Sequence, residues 1–262
     1  MRRLVVALLV LVGLLVAADF GTAALAESAV SRQMRQQIGL ADDPAVRING
    51  FPFLTQAVAG RYSSVDVDAT RLTVGQFREV ELTAHLEDVT APLSMLLGSG
   101  PKKVQVAQAE GTVKVDANDL ERLVPGVTKM RVENVDTKAL QQLVKEGGDA
   151  SLADIDPDKA ARIVGTVSLL GQPIEVAVLA VLDLSGGKAQ IAPRDVRLSD
   201  GTPLPIPQAA QRAILAQFTQ PLDAGHLPFQ VKPETFQAQD GELVISGTAS
   251  GLDLGGSTSA TG

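Results

Sequence analysis

The sequence predicts an α+β domain, a long curled antiparallel sheet wrapped around amphipathic helices. Three observations point there. Apolar and polar residues alternate with period two over much of the chain beyond residue 60. Breaks rich in Gly, Pro and Asp separate these runs at hairpin spacing. Short stretches with apolar residues every third or fourth position lie among them, next to capping residues.

The elements follow in order. Arg2 and Arg3 precede an apolar run, Leu4 to Ala18, that Asp19 ends, and Ala24-Leu25-Ala26 supplies small residues. A basic start, an apolar run and a small-residue site form a secretory signal pattern. The run is short of the ~20 residues of a spanning helix. Residues 1–26 are therefore read as a signal peptide or an N-terminal membrane anchor, 27–254 as the folded domain, and 255–262 as a disordered Gly/Ser/Thr tail. Either fate of the first segment puts the domain outside the cytoplasm.

Ala26, Val30, Met34 and Ile38 mark an amphipathic helix that Gly39 ends. Val46 to Leu54 reads as a short strand with an apolar tip, Phe51-Pro52-Phe53-Leu54. Tyr62 to Val89 is a long hairpin with one apolar face, broken at Gly75-Gln76. Strands are expected at Val104–Gln108, Gly111–Val115 and Lys129–Val135. Helices are expected at Asn118–Val124, with Asp116 or Asn118 as cap, and at Thr137–Glu146. Ser151–Lys159 is a polar crossover. Strands Ile163–Leu170, Ile174–Leu184 and Lys188–Leu198 come next, then a helix from Pro207 to Gln220. The last hairpin, Pro228–Ala238 with Glu242–Ser250, turns at Gln239-Asp240-Gly241.

Composition removes most chemistries. The 262 residues include no Cys and only two His, so thiol nucleophiles, thiolate zinc and multi-His metal sites are excluded. A formal net charge of -7 argues against a nucleic-acid partner. There is no P-loop, dinucleotide fingerprint or Gly-x-Ser-x-Gly elbow. Asp154, Asp156 and Asp158 have calcium-loop spacing, but Lys159 and Gly165 stand where Gly and a bidentate Glu belong. No pair of carboxylates stands out. No catalytic residue, metal ligand or cofactor is assigned.

Two apolar features remain. The strand Ile174–Leu184 is apolar on both faces at its middle, through Val176 and Val178 on one side and Leu179 and Val181 on the other. Both faces need cover from water, as in a core strand or a strand lining a ligand. Phe51, Phe53 and Leu54 gather much of a scarce aromatic content, seven Phe and one Tyr with no Trp. They either plug the core or form an apolar loop at a cavity mouth or membrane. The aromatic poverty itself reflects compositional bias or an aliphatic interior suited to flexible chains.

Gly50-Phe51-Pro52-Phe53-Leu54-Thr55-Gln56, then Gly60-Arg61-Tyr62, an amphipathic helix beginning near Asp19 and a closing Leu227-Pro228-Phe229 hairpin together resemble the LmeA family. These are exported phospholipid-binding proteins of actinobacterial envelopes, similar in turn to tubular lipid-binding (TULIP) folds. The resemblance covers about residues 27–254. It implies an acyl-chain groove between sheet and helices, and a supporting role in envelope lipid or lipoglycan (lipomannan-type) assembly at the outer face of the cytoplasmic membrane. The resulting expectation is a non-enzymatic phospholipid-binding protein, with Phe51, Phe53 and Leu54 at the mouth and Val176, Val178, Leu179 and Val181 in the lining. Two alternatives stand beside it: a glycan-processing hydrolase with paired carboxylates, and a structural or assembly protein with an apolar face. The oligomeric state is not legible.

Overall fold

A computed structural model describes residues 2–74, 77–96, 103–124, 126–148, 150–169, 171–183, 190–207, 211, 215, 220–221 and 232–254. The chain is α+β, with a long first helix and two antiparallel sheets. Most of the expected helix at 207–220, Leu227-Pro228-Phe229 and the tail 255–262 lie outside the described residues.

The first helix, α1 (Arg2–Ile38), is unbroken through the small-residue site at Ala24–Ala26, and Gly39, at φ 74°, ends it as expected. The six-stranded sheet then runs in the order β1 (Ala45–Asn49), β2 (Arg61–Val74), β3 (Phe77–Thr90), β4 (Val104–Asp116), β11 (Glu242–Leu254), β10 (Lys232–Gln239). The two strands expected at Val104–Gln108 and Gly111–Val115 are one strand, β4, because Ala109, Glu110 and Gly111 pair in register with both neighbouring strands. The β10–β11 hairpin turns at Asp240-Gly241, whose φ values of 53° and 86° are those of a type I′ turn.

Phe51-Pro52-Phe53-Leu54 is not a strand tip. Phe53 starts a helix, α2 (Phe53–Ala59), which Gly60 ends in the left-handed conformation at φ 64°. The first two N–H groups of that helix donate to Asp19, far back in the sequence. No local pattern announces such a cap.

The five-stranded sheet has the order β5 (Val127–Asn134), β6 (Ala160–Leu169), β7 (Gln172–Asp183), β8 (Gln190–Leu198), β9 (Gln220–Pro221). Before it come α3 (Leu93–Leu96) and α4 (Ala117–Leu123), and after β5 comes α5 (Thr137–Lys145). Asp116 caps α4 by accepting from the Asn118 N–H, and Asp136 caps α5 by accepting from the Ala139 N–H. The polar crossover holds two turns of 3-10 helix, at Ala150–Asp154 and Pro157–Lys159.

The two sheets share one core. Val176, Val178, Ala180 and Leu182 from β7 meet Phe236 and Leu243 from the other sheet, all buried. The opposite face of β7 is covered as well: Leu179 and Val181 pack with Leu140 of α5 and Leu152 of the crossover. A second cluster fills the far end of the six-stranded sheet, where Phe53, Ala57, Tyr62, Val89, Val106 and Leu252 are buried.

One irregularity shapes that sheet. Tyr62, Val89, Val106 and Leu252 form a paired, buried row. The next inward row is Val65, Leu86, Ala109 and Ala249, three residues away on every strand. A regular strand returns to the same face after two or four residues, never three. The step is absorbed at Asp88 and Gly251, with φ values of 51° and 65°. Four strands are creased along one line.

Phe236 is fully buried where the two sheets meet, so Phe236→Ala should lower stability by about 3–5 kcal/mol. Denaturant unfolding of the purified protein measures it; a loss below about 1 kcal/mol would show that the shared core does not hold the sheets together.

Candidate functional site

The inner face of the six-stranded sheet is sealed at both ends and incompletely covered between them. The row Val65–Leu86–Ala109–Ala249 is followed by Val67–Ala84–Gly111–Gly247 and then by Ala69–Leu82–Val113–Ile245. Most of these residues are half-buried: Val65, Leu86, Ala109 and Ala249 border the far-end cluster, while Leu82, Val113 and Ile245 border the shared core. Their side chains are small or aliphatic, and none bears a hydrogen-bonding group. The result is a shallow apolar floor between two packed plugs. Gly111 leaves open space in it: a Cβ built there meets only the Thr83 carbonyl oxygen, at 3.9 Å.

α1 flanks this floor along the β1 edge. Glu27 accepts the Ile48 N–H at 2.8 Å, and the Ser31 hydroxyl donates to the Pro44 carbonyl at 2.6 Å. The first contact satisfies a donor that an edge strand leaves free. Ala23 and Ala26 pack on the far-end cluster, Leu40 packs on the shared core, and Val30 and Met34 lie half-buried between them.

The residues singled out in the sequence are placed in three environments. Phe53 is buried in the far-end cluster, stacked on Tyr62 with ring centroids 6.3 Å apart. Phe51 and Leu54 are exposed beside it, and Phe51 stacks on Phe20 at 6.1 Å. Val176, Val178, Leu179 and Val181 are buried, covered by protein on both faces of β7. The structure thus separates the Phe51–Leu54 group from the β7 group. The floor was half legible: the alternation of Val65 to Leu86 shows an apolar face, while the small residues of β4 and β11 carry little hydrophobic signal of a floor.

The Tyr62 hydroxyl is buried without a hydrogen-bond partner among the described residues, and burial raises its pKa. An unpaired buried hydroxyl costs about 1–3 kcal/mol. Tyr62→Phe should therefore unfold at the same or a higher denaturant concentration than the parent chain; a clear loss of stability would reveal a partner for that hydroxyl.

The opposite face of the same sheet is polar. A hollow of about 690 Å3 there is lined by His85, Glu87, Gln108, Glu110, Thr248 and Ser250 among others. Lys232 and Gly251 complete its lining together with Ala109 and Ala249, and its charged and amide side chains hydrate well. Asp66 joins β1 to β3: the Asn49 amide donates to it at 2.8 Å and His85 Nδ1 bonds it as well. Asn49 and then His85 hold the Asp66 carboxyl below its ordinary 3.8, and Asp66 lifts His85 above its ordinary 6.5, helped by Glu87 and Glu110. The raised histidine adds stability below about pH 6.5 that fades as pH climbs through its folded value. The lowered aspartate adds stability above about pH 3.8 that fades as pH falls through its own. The stability gap between the parent and His85→Gln should thus be widest near pH 4–6 and shrink above pH 7. Unfolding midpoints across pH check this, and a gap independent of pH would remove the ion pair from the account.

A second hollow, about 380 Å3, lies beneath α5 and is lined by Leu179 and Ala177 together with Glu133, Arg162, Asp195 and Arg197. Its carboxylates are engaged. Glu133 meets Arg131 and Arg162, while Asp195 receives Arg197 Nε at 2.7 Å. Nearby, Arg131 holds the Glu175 carboxyl down to about 2. Acids held charged by arginine are poorly suited to donate a proton. No group of three His, Asp or Glu side chains suited to a metal ion occurs among the described residues.

The floor is an aliphatic surface left half-buried within an α+β fold. The chain belongs to the LmeA-like phospholipid-binding family, whose model matches residues 17–248, a span that includes Asp19 and every floor residue except Ala249. No curated protein and no solved structure gives a significant match.

Proposed function

We propose that this protein is an exported, non-enzymatic phospholipid holder of the cell envelope, acting at the outer face of the cytoplasmic membrane. Its acyl chains lie on the floor made by β2, β3, β4 and β11, alongside α1. The observation that carries this reading is the incompletely covered stretch of small and aliphatic side chains between two sealed clusters. Acyl chains gain by buried area without needing fixed geometry, about 0.8 kcal/mol per methylene. An aliphatic floor without directional groups suits them.

Phe51 and Leu54 stand exposed at the mouth, and Phe53, buried in the far-end cluster beneath them, fixes their place. Val176 and Val178 hold the second sheet against the first through the shared core, Leu179 and Val181 hold α5 and the crossover on its other face, and all four act on the lipid through that packing. The arginine-paired carboxylates favour holding over hydrolysis. The net charge of -7 supports the absence of a nucleic-acid partner. The apolar start of α1 supports export, and family membership supports a part in envelope lipid or lipoglycan assembly.

Mass spectrometry of an organic extract of the purified protein tests this directly. Phospholipid is expected at roughly one molecule per chain. Gly111→Leu and Ala84→Leu extend side chains from the floor into the groove, and Gly111 has an ordinary φ and space for a Cβ. Displacing even three methylenes should weaken retention roughly fifty-fold, with the unfolding midpoint close to that of the parent. An extract free of phospholipid, or unchanged lipid content in both variants, would refute the reading.

A further inference from the structure

We infer that α1 is a retained membrane anchor, and that the end of the domain carrying Phe51, Leu54 and Val58 rests in the lipid interface beside it. The inference concerns a bilayer surface and does not depend on what the sheet floor holds.

The joint at Asp19 is the first observation. This carboxylate is 4% exposed, and its two oxygens accept the Phe53 and Leu54 N–H groups at 2.8 Å each. Those donors open α2 and have no partner within that helix. Cutting after Ala26 would remove Asp19 together with Phe20, which stacks on Phe51, and Ala23 and Ala26, which pack on the far-end cluster. α2 would lose its cap and the cluster part of its wall. A segment made to be discarded has no need of such ties.

The second observation is the contrast along one helix. From Leu4 to Leu15 the large apolar side chains are exposed, and only 6% of the most apolar window is buried. From Asp19 onward the same helix is bonded to the domain. The helix thus leaves the protein as a bare hydrocarbon rod, with Arg2 and Arg3 at the end away from the domain. That charge placement is typical of the cytoplasmic side of a span.

The third is length. Leu4 to Phe20 spans about 25 Å at 1.5 Å per residue, against about 30 Å of bilayer hydrocarbon. The shortfall is close to one helical turn. Phe51, Leu54 and Val58 supply apolar surface where the rod runs out, exposed by 62%, 41% and 81%. A bilayer that closes over the rod reaches this patch, so the domain sits with that end against the membrane in a fixed orientation.

Two measurements test the inference on the full chain exported by a host cell. Intact mass of the detergent-extracted protein is expected to retain residues 1–26, in a membrane fraction that resists alkaline carbonate. A soluble product beginning at Glu27 would overturn the anchor. The chain has no Trp, so Val58→Trp gives a single reporter at an exposed position. In phosphatidylcholine–phosphatidylglycerol vesicles with brominated acyl chains, its emission should fall at least twofold relative to unbrominated vesicles. Unquenched emission from reconstituted protein would overturn the seated orientation. Neither readout uses the lipid content of the groove, so failure here and failure of the lipid-binding reading are separable.

Discussion

Across the line joining Ser63, Asp88, Ala107 and Gly251, four neighbouring strands change step together, and the rest of the molecule is arranged around that crease. Antiparallel pairing couples each strand to its neighbours, so a shift in one is tolerated only if the others follow. Positive φ at Asp88 and Gly251 lets two of them turn without breaking their ladders. On one side, the large residues Tyr62, Val89, Val106 and Leu252 close against α2. On the other, small residues leave the floor partly open. A single sheet therefore carries a packed core wall and a half-buried apolar floor without a separate domain.

Buried charge is used sparingly and with one grammar. Asp19 and Asp119 each accept two successive backbone N–H groups, of Phe53 and Leu54 and of Arg78 and Glu79 respectively. Arg197 donates to the Leu143 and Gly201 carbonyls and to Asp195 and Glu146. Each of the three fastens a segment distant in sequence, with its hydrogen-bonding capacity met by fixed partners. A half-paired charge at these depths would be strongly destabilising.

Much of the strand framework was legible because burial on one face imposes a period of two, and hairpin turns such as Asp240-Gly241 carry their own signature. Legibility failed where the cause lay far along the chain. Phe53 begins a helix because Asp19 waits for its N–H, and nothing between residues 50 and 60 records that. The expected break between Gln108 and Gly111 is not there, because partners on both sides hold Ala109, Glu110 and Gly111 inside one strand. The floor was only partly readable for a related reason: alanine and glycine carry little hydrophobic signal, yet their smallness is what leaves room. The strongly apolar β7 drew attention instead, and its two faces are covered by Phe236 and Leu243 on one side and by Leu140 and Leu152 on the other.

The pairing of β4 with β11 bears on how the chain assembles. Val104 lies opposite Leu254, so the whole second sheet is threaded between two strands that must become neighbours. Closing so long a loop costs entropy before any contact repays it, and such topologies reach the native state slowly. The floor lacks its fourth strand until that late step. A bound lipid would then be a certificate of maturity, since only a molecule that has completed its last and most distant pairing has a surface on which to hold one.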